Sequence, residues 1–158
     1  MKKFAIEIKW GIIFSIVSLL WVYMEKALGW HDELIEKQAI YTNLFAIVAI
    51  IIYVLALLDK RKNFFQGKMT WTKGFISGVI LSVVVAILSP ITQYISMELI
   101  SPDFFAHMIS YTVETGRMTQ EVAEGYFNLK SYMIQSFFFA MAVGTVTSAI
   151  VALIIRRK

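Results

Sequence analysis

The segment WHDELIE, residues 30–36, sets an imidazole, His31, close to the carboxylates of Asp32 and Glu36, and a second histidine, His107, follows Asp103 by four residues. Residues four apart share a helical face, so Asp103 and His107 have the spacing of two metal ligands, and the two segments together could offer a divalent cation five oxygen or imidazole donors. The competing expectation is that these are solvated charges at a membrane boundary, and the sequence favours it: no metal is assigned. Cysteine is absent, which excludes disulfides, thiolate metal sites and cysteine nucleophiles. No Walker loop, dinucleotide fingerprint, HExxH or GxSxG is present. No serine stands beside a base along the chain, so a hydrolase would need residues that converge only in three dimensions. We therefore expect no enzyme activity, no catalytic residue and no cofactor.

A second constellation is polar and uncharged. Asn43, Ser89, Gln93, Ser96 and Gln135 fall toward one end of otherwise apolar segments, and Ser89, Gln93 and Ser96 recur at steps that keep them near one helical face. Pro90 removes a backbone donor beside them, leaving a carbonyl that a side chain or water must satisfy. The expectation is an outward-facing polar pocket bounded by Asn43, Gln93 and Gln135. Its alternative is hydrogen bonding between helices with no ligand, a common cohesive device in membrane bundles.

The elements that position these residues follow from composition. With 58% hydrophobic and 16% charged residues, the chain falls below the roughly 25% charge usual in soluble domains. Its apolar residues lie in long runs, and four segments match or approach the roughly 20 residues needed to cross a bilayer. We read a single membrane domain, 1–158, an all-α four-helix bundle with spans near 5–26, 40–58, 73–99 and 132–155. Basic residues cluster at Lys2, Lys3 and Lys9, at Lys60, Arg61, Lys62, Lys68 and Lys73, and at Arg156, Arg157 and Lys158, whereas most acids occupy the alternate connections. The positive-inside rule then places both termini in the cytoplasm. These clusters signal topology; nucleic acid is not an expected partner, and contact with anionic lipid headgroups is the secondary role. Trp10, Tyr53 and Trp71 are expected near the inner interface. The inner half of the bundle is read as free of charge.

Small residues recur at four-residue steps in two spans: Gly74, Gly78, Ser82 and Ala86 in the third, and Ala140, Gly144, Ser148 and Ala152 in the fourth. In lipid, helices associate by close backbone approach and hydrogen bonding. The stripes therefore predict either packing of span three on span four or association with a second copy or another membrane protein. Between these spans, residues 102–130 read as an outer helical cap. Ser101 is the expected N-cap of its first helix, Gly116 the terminator and Thr119 the next cap. From Gln120 the pattern allows one rod of 38 residues to Arg157.

The order KWGIIF, DKRK, TWTKGFISGV, SPDFF and VALIIRRK resembles the domain of unknown function family 4199, small bacterial membrane proteins, over almost the whole chain. The resemblance implies a four-helix integral inner-membrane protein and supplies no catalytic or ligand-binding residue. The leading expectation is a non-enzymatic interaction module acting by helix association. The alternative is binding or transport of a small molecule or lipid through the polar pocket, alone or as an oligomer.

Overall fold

The computed structural model describes residues 3–157; Lys2 and Lys158 of the charge argument lie outside them. The chain is all-α, with helices α1 (Ala5–Ala27), α2 (Ile35–Thr42), α3 (Phe45–Asn63), α4 (Trp71–Tyr94), α5 (Phe104–Glu114), α6 (Gln120–Tyr126) and α7 (Leu129–Ile155). A π-helical segment, Ile95–Ile100, continues α4 beyond Pro90. Among the described residues four segments are long and apolar enough to cross a membrane: Ala5–Ala27, Ile35–Asn63, Trp71–Ile100 and Leu129–Ile155.

Side-chain placement agrees with that composition. Ile12, Ile16 and Leu20 of α1, Ile47 and Ile51 of α3, Ile87 and Ile91 of α4, and Val146, Ile150 and Ile154 of α7 are all exposed, while Ser77, Ser82 and Ser148 are buried. A soluble protein does not present apolar stripes along every long helix. Hydrocarbon around the bundle removes the conflict, because the outer face then needs no polar groups and the interior can use serines as hydrogen-bonding contacts.

The most extensive packing is between α4 and α7. A Cβ placed on Gly78 would come within 3.0 Å of Ser148, and one on Gly144 would lie 2.5 Å from both Ser82 Oγ and Tyr53 Oη. Gly74 meets Ala152 in the same way, at 3.1 Å. The two small-residue stripes thus face each other in one chain. The Ser82 and Ser148 hydroxyls each donate to their own helix, at Gly78 O and Gly144 O, which lets these polar groups sit in a dry seam. Around this seam Tyr53, Leu57, Leu81, Val85, Val151 and Ile155 form the core, close to the end that carries the chain termini. There Met69 and Arg157 exchange backbone hydrogen bonds at 2.9 Å, and Arg61 donates to Ile155 O, so the loop after α3 holds the end of α7.

Several sequence expectations are corrected. The second apolar segment does not start near residue 40: helix begins at Ile35, and Asn43 and Leu44 form a tightened turn between α2 and α3. There Ala46 and Ile47 donate to carbonyls three residues back, at Asn43 and Leu44. The expected rod from Gln120 is broken at Phe127, which is buried, and Asn128 caps a new helix by accepting from Ser131 N–H at 2.9 Å. Ser101 does not cap α5 with its side chain, because its hydroxyl is turned to His31. Tyr53 is not an interfacial anchor; it is buried and its phenol meets Ser82 at 3.0 Å. Gly116 does adopt a left-handed conformation, φ 68°, after α5, and Thr119 does cap α6.

Candidate functional site

Toward the end opposite the termini the long helices part around a cavity of about 420 Å³. Its walls come from α1 (Phe14, Ser18, Trp21), the α2–α3 junction (Thr42, Asn43), α3 (Ala49), α4 (Val85, Ser89, Gln93) and α7 (Ser136, Phe139, Val143). Its floor is Tyr53 beside Gly144; behind it the Tyr53 phenol meets Ser82, where the small-residue seam closes α3, α4 and α7 together. Phe139 and Val143 line the cavity and are also exposed, at 68% and 45%, so it opens sideways along α7. This size and mixture, apolar walls with a few polar groups, is typical of small-molecule sites.

Of the five pocket residues read from sequence, Asn43, Ser89 and Gln93 line this space. Gln135 does not; it is exposed, and its side-chain amide donates to Ser131 at 2.7 Å, whereas its neighbour Ser136 reaches the cavity. Ser96 is buried outside it, in the π-helical segment, where its carbonyl accepts from Ser101 N–H. The physical reason is helical phase: the widened turn after Pro90 rotates Ser96 away from the face shared by Ser89 and Gln93. Ser89 donates to Val85 O and Thr92 to Ser89 O, so these hydroxyls satisfy the helix and present their lone pairs to the cavity.

Two buried charged clusters, absent from the sequence reading, flank the cavity region. At the end carrying the termini, Glu7 of α1 and Lys60 of α3 form a buried ion pair at 2.9 Å. Ser77 of α4 donates to the same carboxylate at 2.5 Å, Lys60 also donates to Lys3 O, and its ammonium lies 3.9 Å from the Phe64 ring centroid. The expectation of a charge-free inner half is therefore corrected. A sequence signal existed: Glu7 is an acid inside the apolar run FAIEI at an otherwise basic end.

At the opposite end Glu25, His31 and Ser101 form a buried relay: His31 Nε2 lies 3.2 Å from Glu25 Oε2, and Nδ1 lies 2.9 Å from Ser101 Oγ. Trp21 donates to the other carboxylate oxygen at 3.0 Å. A neutral imidazole that donates from Nε2 to the carboxylate would leave Nδ1 to accept from the serine hydroxyl, the role a general base would need. Yet Ser101 is fully buried, and the Phe104 ring packs on the imidazole with centroids 4.8 Å apart. The relay fastens the start of α5 to the end of α1. His107 extends it by donating from Nδ1 to His31 O at 2.9 Å, with Asp32 Oδ1 at 3.1 Å. Asp32 is in turn held by Lys26 at 2.7 Å. His31 and His107 are thus committed to separate partners, and the five donors considered from sequence do not gather: among the described residues no three histidines or carboxylates are grouped to hold a metal ion.

Fold and site together define a class: a small all-α membrane bundle of four long apolar helices, with an interhelical cavity and charged clusters buried at both ends. Residues 9–157 match the family described as Protein of unknown function (DUF4199), and the chain belongs to that family. No curated protein and no solved structure matches it.

Proposed function

We propose that the protein is a non-enzymatic binding module of the bacterial inner membrane that takes a membrane-dissolved amphiphile into the cavity between its helices. The observation that carries this reading is the sideways mouth of the 420 Å³ cavity, edged by exposed Phe139 and Val143, with Asn43 and Gln93 on its lining. Such a mouth admits a molecule from the bilayer: the apolar body lies against Phe14, Val85 and Val143 and a polar end meets the two amides. Self-association through the small-residue stripes is the weaker reading, because both stripes are occupied by each other. An oligomer or a complex with another membrane protein would use a different surface.

The charge distribution supports an orientation with the termini in the cytoplasm and the cavity in the periplasmic half. The chain has no cysteine, so one introduced as Gln93→Cys gives a single reporter. In intact cells it is expected to react with a thiol reagent that reaches only the periplasm, and an added Ala49→Phe/Ala140→Phe pair, filling the cavity, is expected to abolish that reaction. Protein extracted in mild detergent should carry a distinct amphiphile by mass spectrometry, at a level reduced about tenfold or more in the filled variant, as loss of roughly 1.4 kcal/mol of binding implies. Identical bound species in both proteins, matching bulk lipid, would refute the reading.

The absence of enzyme activity is a separate part of the proposal. It rests on the complete burial of Ser101 and on the Phe104 ring packed against His31. A fluorophosphonate serine probe is expected to leave the folded protein unlabelled. Labelling that disappears on Ser101→Ala and His31→Ala would assign the relay to catalysis instead.

A further inference from the structure

A second cavity, of about 120 Å³, lies at the end carrying the termini and shares no lining residue with the first. It forms where the starts of α1 and α4 meet the end of α3, among Lys3, Glu7, Lys60, Lys73, Ile76 and Ile80. Its charges are not equivalent. Lys60 is buried and neutralised by Glu7, whereas Lys3 and Lys73 are exposed and meet no carboxylate within 4.0 Å among the described residues. Each of these two ammonium groups stands beside an aromatic ring, Lys3 at 5.4 Å from Phe4 and Lys73 at 5.3 Å from Phe65, which confines it near the cavity rim.

Apolar surface continues directly from these charges. Lys73, Ile76 and Ile80 follow at steps of three and four, so they share one face of α4, and Ile76 is 53% exposed. Read along that face, the cavity offers two uncompensated cations at its rim and an aliphatic track running toward the middle of the bundle. A soluble anion would use only the first. A molecule with an anionic head and an alkyl chain uses both, and the rim lies at the end where basic residues gather, the level of the headgroups if α4 crosses the bilayer.

We propose that this cavity binds the headgroup phosphate of an anionic membrane lipid, paired with Lys3 and Lys73, with one acyl chain along Ile76 and Ile80. Lys60 is not counted as a partner of the phosphate, because it is buried, its charge is paired with Glu7, and it also donates to the Lys3 carbonyl. The proposal is independent of the reading of the central cavity, since the two sites share no side chain.

The full chain in phosphatidylcholine nanodiscs, with phosphatidylglycerol added in steps, provides the test, and native mass spectrometry counts the retained lipid. Wild type is expected to retain phosphatidylglycerol preferentially. Lys3→Gln/Lys73→Gln should bind it about thirtyfold more weakly, the effect of removing two near-surface lysines. Ile76→Asn should weaken retention as well, while Lys37→Gln/Lys130→Gln, at the opposite end, and the filled central cavity should leave it unchanged. Inorganic phosphate, compared with chloride at equal ionic strength, should not displace the lipid. Displacement by phosphate would assign a free-anion site, and equal losses in both lysine pairs would reduce the effect to overall charge; either result overturns the proposal. Both lysines are exposed, so the variant is expected to keep the wild-type unfolding midpoint, which the same samples report.

Discussion

Gly78→Leu should unfold the bundle and not merely loosen an oligomer. Even a single added Cβ at this position would come within 3.0 Å of the Ser148 side chain and 3.2 Å of its Cα, so the obstruction is backbone as well as side chain. No rotamer of Ser148 relieves it; α4 and α7 must separate. That separation would also open the contacts of Gly144 with Ser82 and Tyr53, one turn along the same seam. Overpacking in a tight core usually costs about 1–3 kcal/mol. Here, with two backbones forced apart, about 3 kcal/mol or more is expected, seen as a lowered unfolding midpoint in detergent or nanodiscs. Gly125→Ala is the matched control: nothing lies within 4 Å of the added carbon, and α6 should gain up to about 1 kcal/mol of helix propensity. A Gly78→Leu protein that unfolds like wild type but loses only a dimer would contradict the packing described here.

That seam was legible because it is a one-dimensional pattern. Small residues at intervals of four project onto one helical face whatever the tertiary fold, and two such faces of similar length in consecutive spans have few partners other than each other. The span count was legible for a similar reason, as it depends on run length against a fixed bilayer thickness. The break at Asn128 was harder to see. Residues 120–157 have uninterrupted helical composition, and the decision was made by Phe127 burying itself and Asn128 offering a better cap than continued helix. Local propensity could not weigh that tertiary gain.

The candidate site divides along the same line. Asn43, Ser89 and Gln93 were found because uncharged polar residues inside apolar runs are conspicuous. Gln135 was misplaced by a single residue, and a shift of one position turns a helical side chain by about 100°, from the cavity to the outside. The relay and the ion pair were missed for a deeper reason. Glu25 and Ser101 are 76 positions apart, and Glu7 and Lys60 are 53 apart, each sitting where a boundary charge or a cap is expected. Only the crossing of α1 with α3 and α4 reveals that these residues face inward.

The Glu7–Lys60 pair is the point where that crossing can be measured. Lys60→Met should destabilise the protein by about 3–5 kcal/mol, because it leaves Glu7 buried with Ser77 as its remaining side-chain partner and removes the ammonium from the Phe64 ring. Glu7→Leu should be similarly costly, since it strands the Lys60 cation in a nearly solvent-free position. The double variant Glu7→Leu/Lys60→Met removes both charges at once and should recover most of the loss, so the cycle yields a large coupling energy. Burial also fixes the salt response. Exposed pairs weaken as ionic strength rises, whereas this coupling should barely change between low and high salt. Unfolding of all four proteins in one detergent, at two salt concentrations, checks each step. Simple additivity would mean that the carboxylate and the ammonium do not meet inside the folded bundle, and the contact of α1 with α3 would have to be redrawn.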